Sequence, residues 1–414
     1  MFYDKDCLGH VDRRMSKLYY EQPYATEFDA IVLCCEETTF NNQKAYDVIL
    51  NKTLFFPEEG GQSPDKGNIN DIRVLDVQIH NDVITHTLAQ PIAEGSEVHG
   101  EIDWEHRFSN MQQHSGEHIF SGTVHREYGF NNVGFHLSDN VVTMDFDGVL
   151  TAEQIQDIEW KVNEAIAKNI EIDVRFPSKE ELATMEYRSK IEIEGDVRIV
   201  TIPGYDVCAC CAPHVKRTGE IGMLKVMSVQ NYKGGVRISM LCGFRALTAF
   251  RERLDVVSKL TNLLSTSQEN IVDRVTQMKD SSHALRVENG ELKQQMMFAK
   301  VVQIPFDEKD VIVFEEELDT PIMRNVVNEL IQYHDGICAV FNGNDTDGYN
   351  FILGSAIEDC TAVAANLRNA LGAKCGGSQT MIQGSVSTTR EKIEFFFEPH
   401  DEESDFDFNE TTIE

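Results

Sequence analysis

Apolar and polar residues alternate through residues 25–105. The runs AIVLCC, KAYDVIL, IRVLDVQIH, DVITHTL and EVHGEIDW are rich in β-branched side chains and broken by Asn, Asp and Gly. Short strands at such close spacing predict a small barrel or sandwich, with GGQSPDKG as one of its turns. After Trp104 the period lengthens. RFSNMQQHSGEHIFSGTVHREYG predicts a helix stopped by Gly129, with Met111, Ile119 and Val124 among its apolar positions. NVVTMDFDG reads as a strand. TAEQIQDIEWKVNEAIAKN reads as an amphipathic helix that starts at Thr151 and Glu153 and turns Ile155, Ile158, Val162 and Ile166 inward. IEIDVRF, DVRIVTI and GVRISMLCG supply further strands, and Pro203-Gly204 makes a turn ahead of Cys210. This middle part is an α+β domain.

Residues 250–297 repeat every 3.5 positions. With Leu254 as position a, the d positions Val257, Leu264, Ile271, Met278, Leu285 and Leu292 are all apolar, and the a positions are mixed. Such a repeat predicts a coiled coil or a helical hairpin. The apolar seam needs a partner, so a homodimer through residues 250–297 is expected, with a break at Ser265-Thr266-Ser267 and an internal hairpin as the alternative. Residues 301–397 then alternate strands (VIVFEE, GICAVFN, NFILGSA, KIEFFFE) with helical patterns (TPIMRNVVNELIQYH, CTAVAANLRNALG). That order predicts an α/β domain whose sheet is covered by helices. The expected organisation is a barrel-like domain at 1–103, an α+β domain at 104–248, a helical segment at 249–300, an α/β domain at 301–398 and an acidic disordered tail at 399–414.

Composition narrows the function classes. The 414 residues carry a formal net charge of −32, which argues against indiscriminate binding of nucleic acid. The charge is uneven, however: residues 216–251 hold seven Lys or Arg against the single acid Glu220. No run approaches the roughly 18 apolar residues of a membrane span, and MFYDKDCLGHVDRRMSK is too polar for a signal peptide. Ten cysteines without framework spacing suit reduced thiols and a cytoplasmic protein.

Two pairs of metal-ligand types stand 92 residues apart, His114/His118 and Cys210/His214. On a helix, positions i and i+4 share a face, so His114 and His118 can present two imidazoles to one ion. Thiolate and imidazole are the ligands zinc prefers, and two pairs complete a tetrahedral shell. Pro213 has no amide to donate, so Cys210–His214 belongs in a loop or a first helical turn. Cys208 and Cys211 compete for the cysteine position.

HSGEH, the D-x-x-x-C-x-x-x-H-V pattern from Asp206 to Val215, and FFPEEGGQSPDKG (Phe55 to Gly67) together resemble the editing domain of alanyl-tRNA synthetases and its free-standing relatives, the alanyl-tRNA editing proteins. CGGSQTMIQGSV resembles the glycine-rich end of the DHH-associated domain that follows in the longer members. Ser115 stands where the family has threonine, and the spacers between Cys210 and His214 differ. The resemblance implies a free-standing, zinc-dependent deacylase that hydrolyses the ester of mischarged alanine tRNA, with Ser-tRNA as the expected substrate and Gly-tRNA as a second. It implies His114, His118, Cys210 and His214 as ligands of Zn2+. Glu117, between the two histidines, and His136 are the candidate catalytic side chains. Gly60, Gly61 and Gln62 are placed at the pocket, and Lys216, Arg217, Lys233 and Arg237 on tRNA phosphates. The C-terminal domain is a second element that could reinforce a dimer. Two other readings are an RNA-binding protein with a structural zinc, and a zinc peptidase of the H-x-x-E-H type with Glu192 or Glu194 as third ligand.

Overall fold

A computed structural model describes residues 16–139, 142–189 and 196–398. The acidic tail lies outside them. The protein is a mixed α+β structure that divides into two compact units, residues 1–258 and 259–414.

In the first unit six strands close a ring. In hydrogen-bonded order they are Glu27–Phe40, Gln43–Leu50, Val83–Leu88, Ile72–His80, Gly67–Ile69 and Glu97–Ile102, the last pairing back onto the first. Three of the connections are two-residue turns, Asn41-Asn42, Asn70-Asp71 and Asn81-Asp82, with both φ positive in each. Asn and Asp tolerate that conformation, and the turn it makes matches the twist of paired strands. Alternation along the first strand buries Phe28, Ala30, Val32 and Cys34, the first three in one core with Val48, Leu50, Phe55, Phe56 and Ile84. The three-residue strand Gly67–Ile69 was not legible as one, being shorter than any alternating pattern.

The helix Trp104–Tyr128 follows, capped by the Asp103 carboxylate, which accepts from His106 N, and ended by Gly129 in the left-handed region. It shares a core with helix Ala152–Ala167 and an antiparallel sheet ordered Leu224–Tyr232, Gly235–Cys242, Val142–Phe146, Asn132–Leu137. The second helix begins in a capping box between Thr151 and Gln154, and its Ile155, Ile158, Val162 and Ile166 are buried. A smaller sheet of Asp173–Arg175, Ile199–Ile202 and Asp206–Ala209 leads directly into residues 210–214, which form a loop. Trp104–Tyr128 buries Arg107, Asn110, Gln112, Gln113, His114, Ser115, Glu117, His118, Ser121 and Thr123. Polar groups are costly to bury unless they are partnered, so this helix does more than pack.

The heptad stretch is two helices rather than one. Gly243–Leu264 ends at Ser265, whose φ is 48°, and Ile271–Val301 begins after a single 3-10 turn at Gln268–Asn270. Ser and Thr side chains compete for backbone hydrogen bonds and weaken a helix interior. At the d positions Leu264 and Ile271 are half-buried, while Met278, Leu285 and Leu292 are exposed.

The second unit holds a five-stranded sheet in the order Val311–Glu315, Cys338–Asn344, Gly348–Gly354, Met381–Val386, Lys374–Gly377. Only the first pair is parallel, so the sheet of this α/β part is mixed. Thr320–Leu330 and Cys360–Leu371 are helices. KIEFFFE, expected as a strand, is helical up to Phe397, in helix Arg390–Phe397, with Glu398 as its C-cap. Ile393, Phe396 and Phe397 fall at i, i+3 and i+4 and reach the same core, a helical period hidden inside an unbroken apolar run. The glycines of KCGG belong to an edge strand. Among the described residues no helix is long and apolar enough to cross a membrane.

Candidate metal centre

His114 and His118 sit one turn apart on the buried face of Trp104–Tyr128, with ring centroids 5.5 Å apart. The 210–214 loop brings Cys210 and His214 against them. Cys210 Sγ lies 3.4 Å from His114 Nε2 and 3.4 Å from His214 Nε2, and one donor atom from each of the four residues lies within 4.8 Å of the others. Zinc bonds of about 2.3 Å to sulfur and about 2.0–2.1 Å to nitrogen imply a tetrahedral S···N edge of about 3.6 Å. The donor set therefore fits one ion of that size.

Each histidine is held from behind. Nδ1 of His114 lies 2.8 Å from Gln62 Oε1, that of His118 2.8 Å from Asp206 Oδ2, and that of His214 3.1 Å from Ser115 Oγ. A partner on Nδ1 fixes the ring and leaves Nε2 for a metal. Asp206 is itself clamped by Arg188, whose Nε and Nη2 donate to its two oxygens at 2.7 and 2.8 Å. Ser115 also accepts from Val215 N, so the residue in the threonine position ties the loop to the helix.

Burial favours the neutral thiol of Cys210, but the imidazoles of His114 and His214 outweigh it and hold the thiol well below its usual range. Thiolate is the ligand form. Burial instead dominates at the competitors, raising Cys208 to about 11 and Cys211 well above the ordinary value. Burial also pushes His214 down to about 3, whereas at His118 the opposing Asp206 and Cys210 win and its proton affinity rises. A second group, His118, Asp206 and Cys208, shares one histidine with the first. Its Asp206 is already committed to Arg188 and His118.

Gln62 is fully buried, which the sequence did not disclose. Its loop is stitched to strand Asn132–Leu137 by Leu137 N donating to Gly61 O and Ser63 N to Leu137 O. Gly61 has φ +82°, and a Cβ there would stand 2.4 Å from Phe135 O, so the close approach requires glycine. Glu117 is buried as well: Oε1 accepts from Ser121 Oγ at 2.6 Å and Asn132 Nδ2 at 2.5 Å, and Oε2 lies 4.0 Å from His118 Nε2. His136 is not brought to the site. It is exposed, and strand alternation sets it opposite Phe135, whose ring packs 4.8 Å from His114. Glu192 and Glu194 lie outside the described residues.

The basic strip is largely engaged within the protein. Arg237 makes a bidentate pair with Asp145 at 2.6 Å and stacks on Tyr232; Lys225 pairs with Glu159; Arg245 donates to Ser109, Ser138 and Asn110. Arg217 donates to Asn169 O at 2.7 Å. Lys216, over the ring of Tyr24, and Lys233, in a turn, are exposed. A cavity of about 900 Å³ borders Asp206, Cys208 and Asn132 but none of the four convergent donors.

Two family models match the chain: threonyl and alanyl tRNA synthetase second additional domain over residues 197–239, and tRNA synthetases class II (A) over residues 3–106. Among known proteins, alanyl-tRNA editing protein Aarsd1 of Rattus norvegicus is 28% identical over 92% of this chain and 96% of its own. Alanyl-tRNA editing protein Aarsd1-A of Xenopus laevis is 30% identical over 64% of this chain and 68% of its own. Alanyl-tRNA editing protein AlaX-L of Pyrococcus horikoshii is 28% identical over 68% and 71%.

Proposed function

We propose a function from one premise: the chain belongs to the alanyl-tRNA editing proteins. Its reaction is hydrolysis, in trans to the synthetase, of the ester linking a wrong amino acid to alanine tRNA. Serine is the proposed acyl group and glycine the second. The convergence of His114, His118, Cys210 and His214, each histidine oriented through Nδ1, is the observation that carries this reading. A zinc ion held by these four side chains would fix the shape of the pocket and, on expanding to a fifth ligand, would supply Lewis acidity to the ester or the attacking water.

The chain's own groups divide the remaining work. Gln62, Asp206 and Ser115 hold the three imidazoles in place. Glu117, buried with Oε2 turned toward His118, takes the proton of the attacking water and returns it to the departing ribose oxygen, so that free amino acid and intact tRNA leave. Ser121 and Asn132 steady its other oxygen. The nine described cysteines are all free thiols, which supports work in a reducing cytoplasm. Incubating the purified protein with alanine tRNA charged with Ser, Gly or Ala tests the reading. Release of serine well above the release of alanine supports it; no release of any of the three would leave an RNA-binding protein with a structural metal.

A further inference from the structure

Among the described residues the buried arginines are Arg107 and Arg198. Arg107 is paired with Asp65. Arg198, 6% exposed, meets no carboxylate among the described residues. Its Nη1 donates to Cys210 O at 2.9 Å and to Ala212 O at 2.8 Å. The guanidinium lies 5.1 Å over the ring of Tyr20, in the short helix Leu18–Glu21. Burial lowers its pKa below the usual arginine value, and Cys210, Tyr20 and Cys211 oppose that shift. An aromatic face offsets part of the desolvation of a cation. A buried charge without a counter-ion is nonetheless costly, so a fold that keeps one calls for a reason.

Strand pairing puts Arg198 where it is. Ile199–Ile202 and Asp206–Ala209 pair with Ile199 opposite Ala209. One step further Arg198 stands opposite Cys210, whose N donates to Arg198 O at 3.0 Å. Beyond Cys210 the chain leaves the sheet, and Ala212 is fully buried. Buried carbonyls need donors, and Nη1 serves both, tying two carbonyls two residues apart to one nitrogen. His214 follows two residues after Ala212, so the 3.4 Å between Cys210 Sγ and His214 Nε2 depends on this bend. A helix sets the spacing of His114 and His118, and the second pair has no helix to do so. We propose that Arg198 is a positioning residue of the metal centre: through Nη1 it fixes the bend that presents Cys210 and His214 to one ion, and its charge offsets that of the Cys210 thiolate. The inference rests on the proposed zinc site.

The test uses the purified full chain and reads two quantities. One is zinc affinity, by competition with a chelator. The other is the visible absorption of the Co2+-loaded protein, which is strong when the shell is tetrahedral. Arg198→Met removes the donors and the charge. It should weaken zinc binding about 10- to 100-fold, the usual effect of losing a group that orients a metal ligand, and should lower the Co2+ absorption. Arg198→Lys keeps the charge and a donor and should fall between Arg198→Met and wild type. Arg107→Met, which removes the other buried arginine, should leave both readings at wild-type values. A zinc affinity of Arg198→Met within about twofold of wild type would overturn the assignment, and so would an equal loss in Arg107→Met, which would make the effect one of general destabilisation. Should Arg198→Met not fold, Arg198→Lys decides: weaker zinc binding with a lowered Co2+ absorption supports the assignment, and unchanged readings overturn it. A wild type that binds no zinc removes the metal centre and the inference together. Zinc binding by wild type with Arg198→Met unmoved removes the inference alone.

Discussion

Arg107 and Asp65 form an ion pair from which water is excluded, both side chains being 0% exposed. Arg107 Nε donates to both Asp65 oxygens at 2.9 Å, Nη2 also reaches Asp65 and donates to Leu54 O at 2.5 Å, and Nη1 donates to Pro23 O at 3.1 Å. Asp65 in turn accepts from Phe56 N at 2.7 Å. One guanidinium thus fastens the ring of strands to the helix that carries the histidines. Arg107→Met would leave a buried carboxylate with one backbone donor and two carbonyls without theirs. Removing one partner of such a pair costs about 3–5 kcal/mol, a large part of the roughly 5–15 kcal/mol that holds a domain folded. Both tryptophans, Trp104 and Trp160, lie in the first unit, so their fluorescence in urea follows that unit alone. With a slope of about 3 kcal/mol per M, the midpoint should fall by about 1 M or more. The double variant Arg107→Met, Asp65→Asn should recover part of that loss, because no charge is then buried unpaired. A single-variant midpoint within 0.2 M (about 0.6 kcal/mol) of wild type would refute the reasoning.

His86 is fully buried, with Nδ1 3.1 Å from Val48 O and Nε2 2.9 Å from Thr53 Oγ1, and burial lowers it to about 4. The folded state therefore prefers the neutral ring: the stability is complete above about 6.5, the unfolded value, and is lost as pH falls toward 4, by about 2 kcal/mol at pH 5. Urea midpoints at pH 7.5 and 5 should diverge less in His86→Gln, and an identical divergence would exclude His86 as the source. Lys233→Ala should reduce the log–log salt slope of tRNA binding by about one unit. Arg237→Ala, whose guanidinium is committed to Asp145, should leave that slope unchanged, and the reverse result would restore Arg237 as a phosphate contact. Light scattering should give twice the 46.9 kDa chain mass for wild type and the single mass for Leu264→Asp, Ile271→Asp. A monomeric wild type would exclude a dimer through residues 250–297.

The readable parts of this chain were those in which local chemistry decides the backbone. Alternating strands with Asn and Asp at their turns, and helices with Thr151 at one start and Gly129 at one end, could be read directly because few distant contacts are needed to specify them. The four donors were legible because ligand types and spacing are themselves chemical statements. What supports them was not. Nothing local in Gln62, Ser115 or Asp206 says that each will hold a different imidazole, since those contacts span 52, 99 and 88 positions. The side of the strand on which His136 stands was not legible either, because one step along a strand reverses the side chain. The basic strip was legible as charge, but seven cations in sequence do not say that Arg237, Lys225 and Arg245 will meet Asp145, Glu159 and Asn110 across the fold. KIEFFFE shows the same limit, since an apolar run does not state its period, whereas in the heptad stretch the local chemistry of Ser265-Thr266-Ser267 did mark where the helix breaks.

Elemental analysis of purified protein tests the metal centre most directly. Wild type should carry about one zinc per chain, the stoichiometry of a single four-donor site. Cys210→Ala and His118→Ala should lose most of it, and Cys208→Ala and Cys211→Ala should keep it. Full zinc in Cys210→Ala with loss in Cys208→Ala would contradict the account and move the ion to His118, Asp206 and Cys208.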